Sequence, residues 1–240
     1  MPDYPRIELK YFDCRGRAQF LRGYLLHRGI PFEDDRVSMA GGFDTWQAMR
    51  ADRTATGPFQ KLPVLRWGDR RIAETTVIAA FVHRASGDAG LLSQEENLRH
   101  EMLISSTYID LMMSMGILLW SELMFAGADF GATSKRMLDR VHAHLATIDP
   151  ALGEWRWLER AADRPVMVAD CILWDQLDSA RHVFGDALRL DSTPTVARFY
   201  RDFAGRTTFE RLLTEKPCQV TGRPGEAAAV ARVRELVAAA

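Results

Sequence analysis

The chain reads as an α/β unit followed by an all-helical bundle, and three observations carry that reading. Strand patterns at 7–12, 32–37, 63–67 and 70–73 alternate with helical patterns at 16–28, 43–52 and 75–86. After Ser86-Gly87-Asp88 no convincing strand pattern follows. No proline intervenes between Pro63 and Pro150, and Glu95 to Phe125 holds one long helical period.

Each element has a local reason. Ile7-Glu8-Leu9-Lys10-Tyr11-Phe12 alternates like a strand, and Arg15-Gly16-Arg17 leads into an apolar-periodic helix through Phe20, Leu21, Tyr24, Leu25 and Leu26. Tyr11 therefore ends a strand beside a helix start. From Pro58 to Thr76 the chain reads as a proline-marked turn, a strand, a hairpin at Gly68-Asp69, a second strand and a helix start. This order is close to a thioredoxin-like layout, with a boundary near 87–93 that separates units at 1–86 and 93–240. In the second unit helices are expected at 134–161, 168–184, 194–204 and 208–215. The tail from Glu226 to Val237 follows the breaker Gly222-Arg223-Pro224-Gly225 and places Val230, Val233 and Val237 on one helical face; it is either a short ordered helix or a frayed end.

Composition narrows the function classes. Hydrophobic residues make up 47% of the chain and the net charge is −1, which suits an ordinary globular core and asks for neither nucleic acid nor an anionic membrane. No apolar run is expected to approach the ~20 residues of a membrane span, and no signal peptide is apparent. Cys14, Cys171 and Cys218 are far apart and odd in number, so they form neither a disulfide framework nor a metal-ligand spacing, and no metal site is expected. A reducing cytoplasm fits best.

The stretch from 58 to 76 offers three contacts to a peptide-like guest. Pro63 leaves Leu62 extended, with main-chain groups free to pair with a strand-like ligand, and a cis Leu62–Pro63 bond there would be a deliberate feature. Thr75 stands where an apolar helical run begins, so its hydroxyl and the first helical N–H groups form a seat for a carboxylate. Glu74 beside it suits an ammonium. Tyr11, a neutral phenol, can donate to a cysteine sulfur of such a peptide and favour thiolate over thiol.

With Tyr-Phe-x-x-Arg-Gly-Arg-Ala at 11–18, Asp-Thr-Trp-Gln at 44–47, Leu-Pro-Val-Leu at 62–65 and Glu-Thr at 74–75, the chain resembles the cytosolic glutathione transferases, in particular their tyrosine-type classes (sigma, alpha, mu and pi). The likeness spans about the whole chain, because Val168-Ala169-Asp170 and the Pro194–Pro217 segment look like the family's helical half. It implies a thioredoxin-like domain and a helical domain, glutathione as co-substrate, and addition of the glutathione thiolate to an apolar electrophile such as an epoxide, an activated alkene or an aryl halide.

The resemblance also implies residue roles. Tyr11 would ionise the thiol. Trp46 and Arg50 (or Arg53, if the helix is offset by a turn) would meet the glycyl end, Lys61 would contact the same end, and Leu62 and Pro63 would pair with the cysteinyl residue. Glu74 and Thr75 would hold the γ-glutamyl group. Asp110 would reach the partner subunit's γ-glutamyl amine, or it is simply an exposed helical carboxylate. Phe12, Met112, Gly116 and Trp120 would line the electrophile site, within a segment rich in methionine (Met112, Met113, Met115, Met124) that is suited to an adaptable apolar pocket. Phe59 occupies the place of an aromatic key between subunits, so a homodimer is expected. A glutathione-dependent isomerase or lyase, and a non-catalytic relative that keeps the fold, are the alternatives.

Cys14 rivals Tyr11, because Arg15 and Arg17 adjoin it before a helix N-terminus and can acidify a thiol. Two positions depart from the family pattern. Met167 stands where a Ser or Thr helix cap is usual, a loss of ~1 kcal/mol that Asp170 offsets only in part. Gln19 stands where an acid is common.

Overall fold

The computed structural model describes residues 3–38, 44–125, 130–206, 209 and 220–239; the side chains of 45 and 120–125 fall outside that description. Strand β1 (Ile7–Phe12) buries Ile7, Leu9 and Tyr11 on one face, the period-2 pattern of its sequence. It pairs in parallel with β2 (Glu33–Val37) after helix α1 (Gln19–His27), and antiparallel with β3 (Val64–Trp67), which turns back into β4 (Arg70–Ala73). The resulting sheet has the order β2-β1-β3-β4. Helices α2 (Asp44–Arg50) and α3 (Arg53–Thr56) lie between β2 and β3, and α4 (Thr75–Ala85) follows β4. The Leu62–Pro63 peptide is cis.

The remainder is helical. Helix α5 (Gln94–Ser106) runs through a π-helical turn at Thr107–Met112 into α6 (Met113–Phe125). Then come α7 (Phe130–Glu154), α8 (Trp157–Ala162), α9 (Val168–Phe184), α10 (Pro194–Ala204) and α11 (Glu226–Ala238). Helix α9 is buried along almost its whole length and packs on α1, so it joins the sheet-bearing part to the helices. The tail is ordered helix, with Val230, Val233 and Val237 turned inward.

Several boundaries differ from expectation. Helix α1 starts at Gln19 rather than 16, because Gly16 adopts φ +39 in the preceding turn. The helix expected at 43–52 gives way to two, because it ends at Arg50 and Asp52, which accepts the Thr54 N–H at 2.8 Å, caps α3 just beyond the expected span. The helix expected at 134–161 is also two, because Arg156 takes a left-handed conformation at φ 52, whereas Pro150 is accommodated inside α7. The helix expected at 208–215 lies, apart from Phe209, outside the described residues, as does Cys218. One expectation is corrected: Gln94–Leu119 is long and apolar enough, by length and composition, to cross a bilayer, although half of its most apolar part is buried within the fold.

The start of α9 shows how the departure at Met167 is met. Asp170 accepts the Met167 N–H at 2.8 Å, the Trp157 indole N–H at 2.7 Å, and two bonds from the Arg164 guanidinium at 2.6 and 3.0 Å. Burial opposes ionisation of Asp170, but Arg164 outweighs it and the carboxyl stays below the usual range. A second acceptor comes from α5, where His100 Nε2 receives the Ala169 N–H at 3.1 Å.

Candidate active site

The turn after β1 is held from below. Arg22, fully buried on α1, donates to the carbonyls of Cys14 (2.8 Å) and Phe12 (3.1 Å) and to Asp34 (2.9 Å). Asp13 N–H donates to the Val37 carbonyl at 2.9 Å. The loop is therefore fixed to both α1 and β2. Arg15, nearly buried, donates to Asp178 on α9 and stands 3.7 Å from Asp175. Burial, only partly opposed by Arg15, pushes the Asp175 carboxyl up to about 7.

Tyr11, the last residue but one of β1, has its ring over Gly16: a Cβ on Gly16 would lie 2.4 Å from the phenol oxygen. No other residue type fits that approach without displacing the ring. Burial first, then the neighbouring Cys14, pushes the phenol well above its ordinary range, while the Arg17 backbone N–H pulls the other way. At neutral pH the group is a protonated phenol. Its chemistry is hydrogen-bond donation.

A cavity of about 330 Å³ opens over this residue. Tyr11, Phe12, Trp46, Lys61, Leu62, Met112 and Gly116 are brought together in its wall. Phe12 sits edge-on to Trp46, with ring centroids 5.4 Å apart, so α2 is packed against the end of β1. An added Cβ at Gly116 would meet nothing within 4 Å, which leaves open room beside that helix.

Arg50, Pro63, Glu74, Thr75 and Asp110 are not among the lining residues, and the Trp120 side chain lies outside the described set. Arg50 is exposed at the end of α2, and Arg53 is exposed on α3. The antiparallel register that pairs Val64 with Ala73 brings the Leu62–Pro63 end of β3 beside Glu74 and Thr75. Glu74, at φ 69, precedes α4 without a side-chain capping bond, so it does not occupy the first-turn amides. Asp110 has partners in its own chain: Arg140 donates to it at 3.1 Å, and His144 Nδ1 is 3.6 Å away.

The cavity also contains residues that sequence reasoning did not assign to it, Ile117, Gln176, Ser179, Val220 and Thr221, together with Met113 of the methionine-rich segment, Arg17, and Cys14, which was weighed as a nucleophile. Gln176 and Ser179 stand three apart and so share one face of α9, a spacing visible in the sequence. Val220 and Thr221 carried no such signal, because only the tertiary fold brings them to the loop.

No protein-family model matches the chain. Its sequence is similar to the hematopoietic prostaglandin D synthase of Gallus gallus, 29% identical over 153 residues that cover 64% of this chain and 70% of that one. It is also similar to glutathione S-transferase Mu 2 of Rattus norvegicus, 24% identical over 201 residues, 83% of this chain and 86% of that one. Among solved structures, the glutathione S-transferase from Ascaris lumbricoides superposes with a TM-score of 0.71 at 20% identity, covering 90% of this chain and 100% of that one, a likeness of fold. A thioredoxin-like sheet, a helical half behind it, and these relatives agree: in sequence and in fold the chain is similar to the cytosolic glutathione transferases.

Proposed function

We propose that the protein is a glutathione transferase that binds glutathione across Trp46, Lys61, Leu62, Pro63, Glu74 and Thr75, ionises its thiol beside Tyr11 and adds the thiolate to an apolar electrophile. The observation that carries this reading is the buried, neutral Tyr11 phenol at the mouth of a mostly apolar cavity. A phenol that keeps its proton stabilises a thiolate by donation. Each unit by which it lowers the thiol pKa corresponds to ~1.4 kcal/mol, and one or two units suffice to ionise most of a thiol of pKa ~8.5 at neutral pH. Glutathione would draw on residues of 1–86 and the electrophile on Phe12 with residues of 93–240, among them Met112, Gly116 and Trp120. Arg50 or Arg53 would take the glycyl carboxylate.

Conjugative detoxification in a reducing cytoplasm accords with the buried thiols of Cys14 and Cys171. A homodimer accords with Phe59, 60% exposed in its turn, and with exposed Leu98, Met102 and Ile109, which recur at helical spacing along α5 and the π turn. In such a dimer Asp110 would exchange its contact with Arg140 for the partner's glutathione. A second reading, glutathione-dependent isomerisation, is favoured by the similarity to a prostaglandin D synthase. Product mass separates the two, because only conjugation retains glutathione.

The deciding experiment is the pH titration of thiolate absorbance for glutathione bound to the wild type and to Tyr11→Phe. Ionisation below the free value, lost in the variant, is the expected result. Equal ionisation in both proteins transfers the role to Cys14, and absence of binding overturns the transferase reading.

A further inference from the structure

Glu226 opens α11, and it is 1% exposed. Its Oε1 accepts the Val220 N–H at 2.6 Å, its Oε2 accepts the Thr221 N–H at 2.8 Å, and the Thr221 hydroxyl donates to Oε2 as well. An acid in the first turn also complements the helix dipole. One side chain thereby closes the turn that leads into the helix.

The far side of that turn is fastened to the catalytic loop. The Val220 carbonyl accepts the Gly16 N–H at 2.9 Å, and a Cβ on Gly222 would come within 2.8 Å of the Cys14 Cβ. Behind it, Val230, Val233 and Val237 anchor α11 against α6, α7 and α9. Val220 and Thr221 are cavity walls, whereas Glu226 is not. A carboxylate outside the cavity thus decides where two of its wall residues stand relative to Tyr11.

We propose that Glu226 is a positioning residue for acceptor selection: by holding Val220 and Thr221 against the Tyr11 loop it sets the bulk of electrophile that the cavity takes. This rests on the reading of that cavity as the electrophile site. Loosening the wall costs a compact acceptor its contacts and costs a bulky one little, so the discrimination between them shrinks while the glutathione side is untouched.

The test compares the wild type with Glu226→Gln and Glu226→Asp, using glutathione with a compact and a bulky aryl halide, and separately the apolar fluorophore anilinonaphthalene sulfonate. Glutamine keeps the shape but sets an NH₂ group against a backbone N–H. With Glu226→Gln the KM for the compact acceptor rises about ten-fold and its selectivity over the bulky one falls by a similar factor, as expected for weakened charge-assisted hydrogen bonds. The KM for glutathione and the thiolate absorbance keep wild-type values. Glu226→Asp, which keeps the charge but shortens the reach, gives a shift of about three-fold and carries the test alone if the glutamine variant does not fold. Unchanged selectivity, or a parallel rise in both KM values, overturns the proposal. Should the wild type show no thiolate at all, the transferase reading fails but fluorophore affinity still reports on the wall: weaker binding in the variants supports the positioning role, and equal binding removes it.

Discussion

His100 Nε2 lies 3.1 Å from the Ala169 amide nitrogen, an imidazole on α5 capping the first turn of α9. Only a neutral ring has the lone pair this requires. Burial, reinforced by His83 stacked at 3.8 Å and by Arg164, and opposed by Asp170, holds His100 well below the usual histidine range. On the other ring, burial lowers His83, with Arg84 adding and Asn97, Asp88 and Glu101 opposing.

Because the folded value lies below the unfolded one, the unfolded chain binds more protons between the two. The stability this histidine contributes is complete above about pH 6.5 and is lost as pH falls toward the folded value. Urea midpoints should therefore drop from pH 7.5 to 5.5, and His100→Ala should flatten that slope. At pH 7.5 the same substitution should cost about 1–3 kcal/mol. Adding Met167→Thr, which returns a cap hydroxyl, should shrink the cost; an undiminished cost in the double variant would show that His100 does not replace the missing cap.

Gly16 makes a separate prediction. An added methyl would press on the Tyr11 phenol from 2.4 Å, on a backbone already at φ +39. Gly16→Ala should lower kcat about 10- to 100-fold, with little change in the KM for glutathione, and the double variant with Tyr11→Phe should be scarcely worse than either alone. Steady-state kinetics on the three variants checks this. A rise confined to the glutathione KM would place Gly16 in binding instead.

Phe59 tests the assembly. An aromatic key of this exposure is expected to be a hot spot, so Phe59→Asp should weaken self-association by about 30-fold or more. Sedimentation equilibrium of the wild type and the variant measures it. A wild type that sediments as a monomer removes the dimer, and with it the role proposed for Asp110 across the interface.

Local patterns carried much of the fold. The alternation of 7–12 and the apolar periods of 168–184 and 194–204 mark elements that the structure reproduces at the same residues. The break at Arg156 was missed because an arginine, not a glycine, takes the left-handed conformation; Gly153 lies within the last turn of α7, and Pro150, which should have announced a break, sits inside the same helix. Of the cavity's lining, Tyr11 and Leu62 were singled out from the strand and the proline turn that hold them, and Trp46 from the family resemblance. His100 and Glu226 were not, because their partners are set by tertiary packing: Ala169 is 69 residues from His100. A buried acid at the head of an alanine-rich tail looks, in sequence, like any solvated helix start.

The cavity is bounded by residues 11–17 on one side and by Val220 and Thr221 on the other, tied through Gly16. A chain made from its N-terminus has Tyr11 in place some two hundred residues before that wall exists. The sheet can fold early, but a nascent chain, or one cut ahead of α11, holds the Tyr11 phenol in an open trough that lacks the Val220 and Thr221 wall.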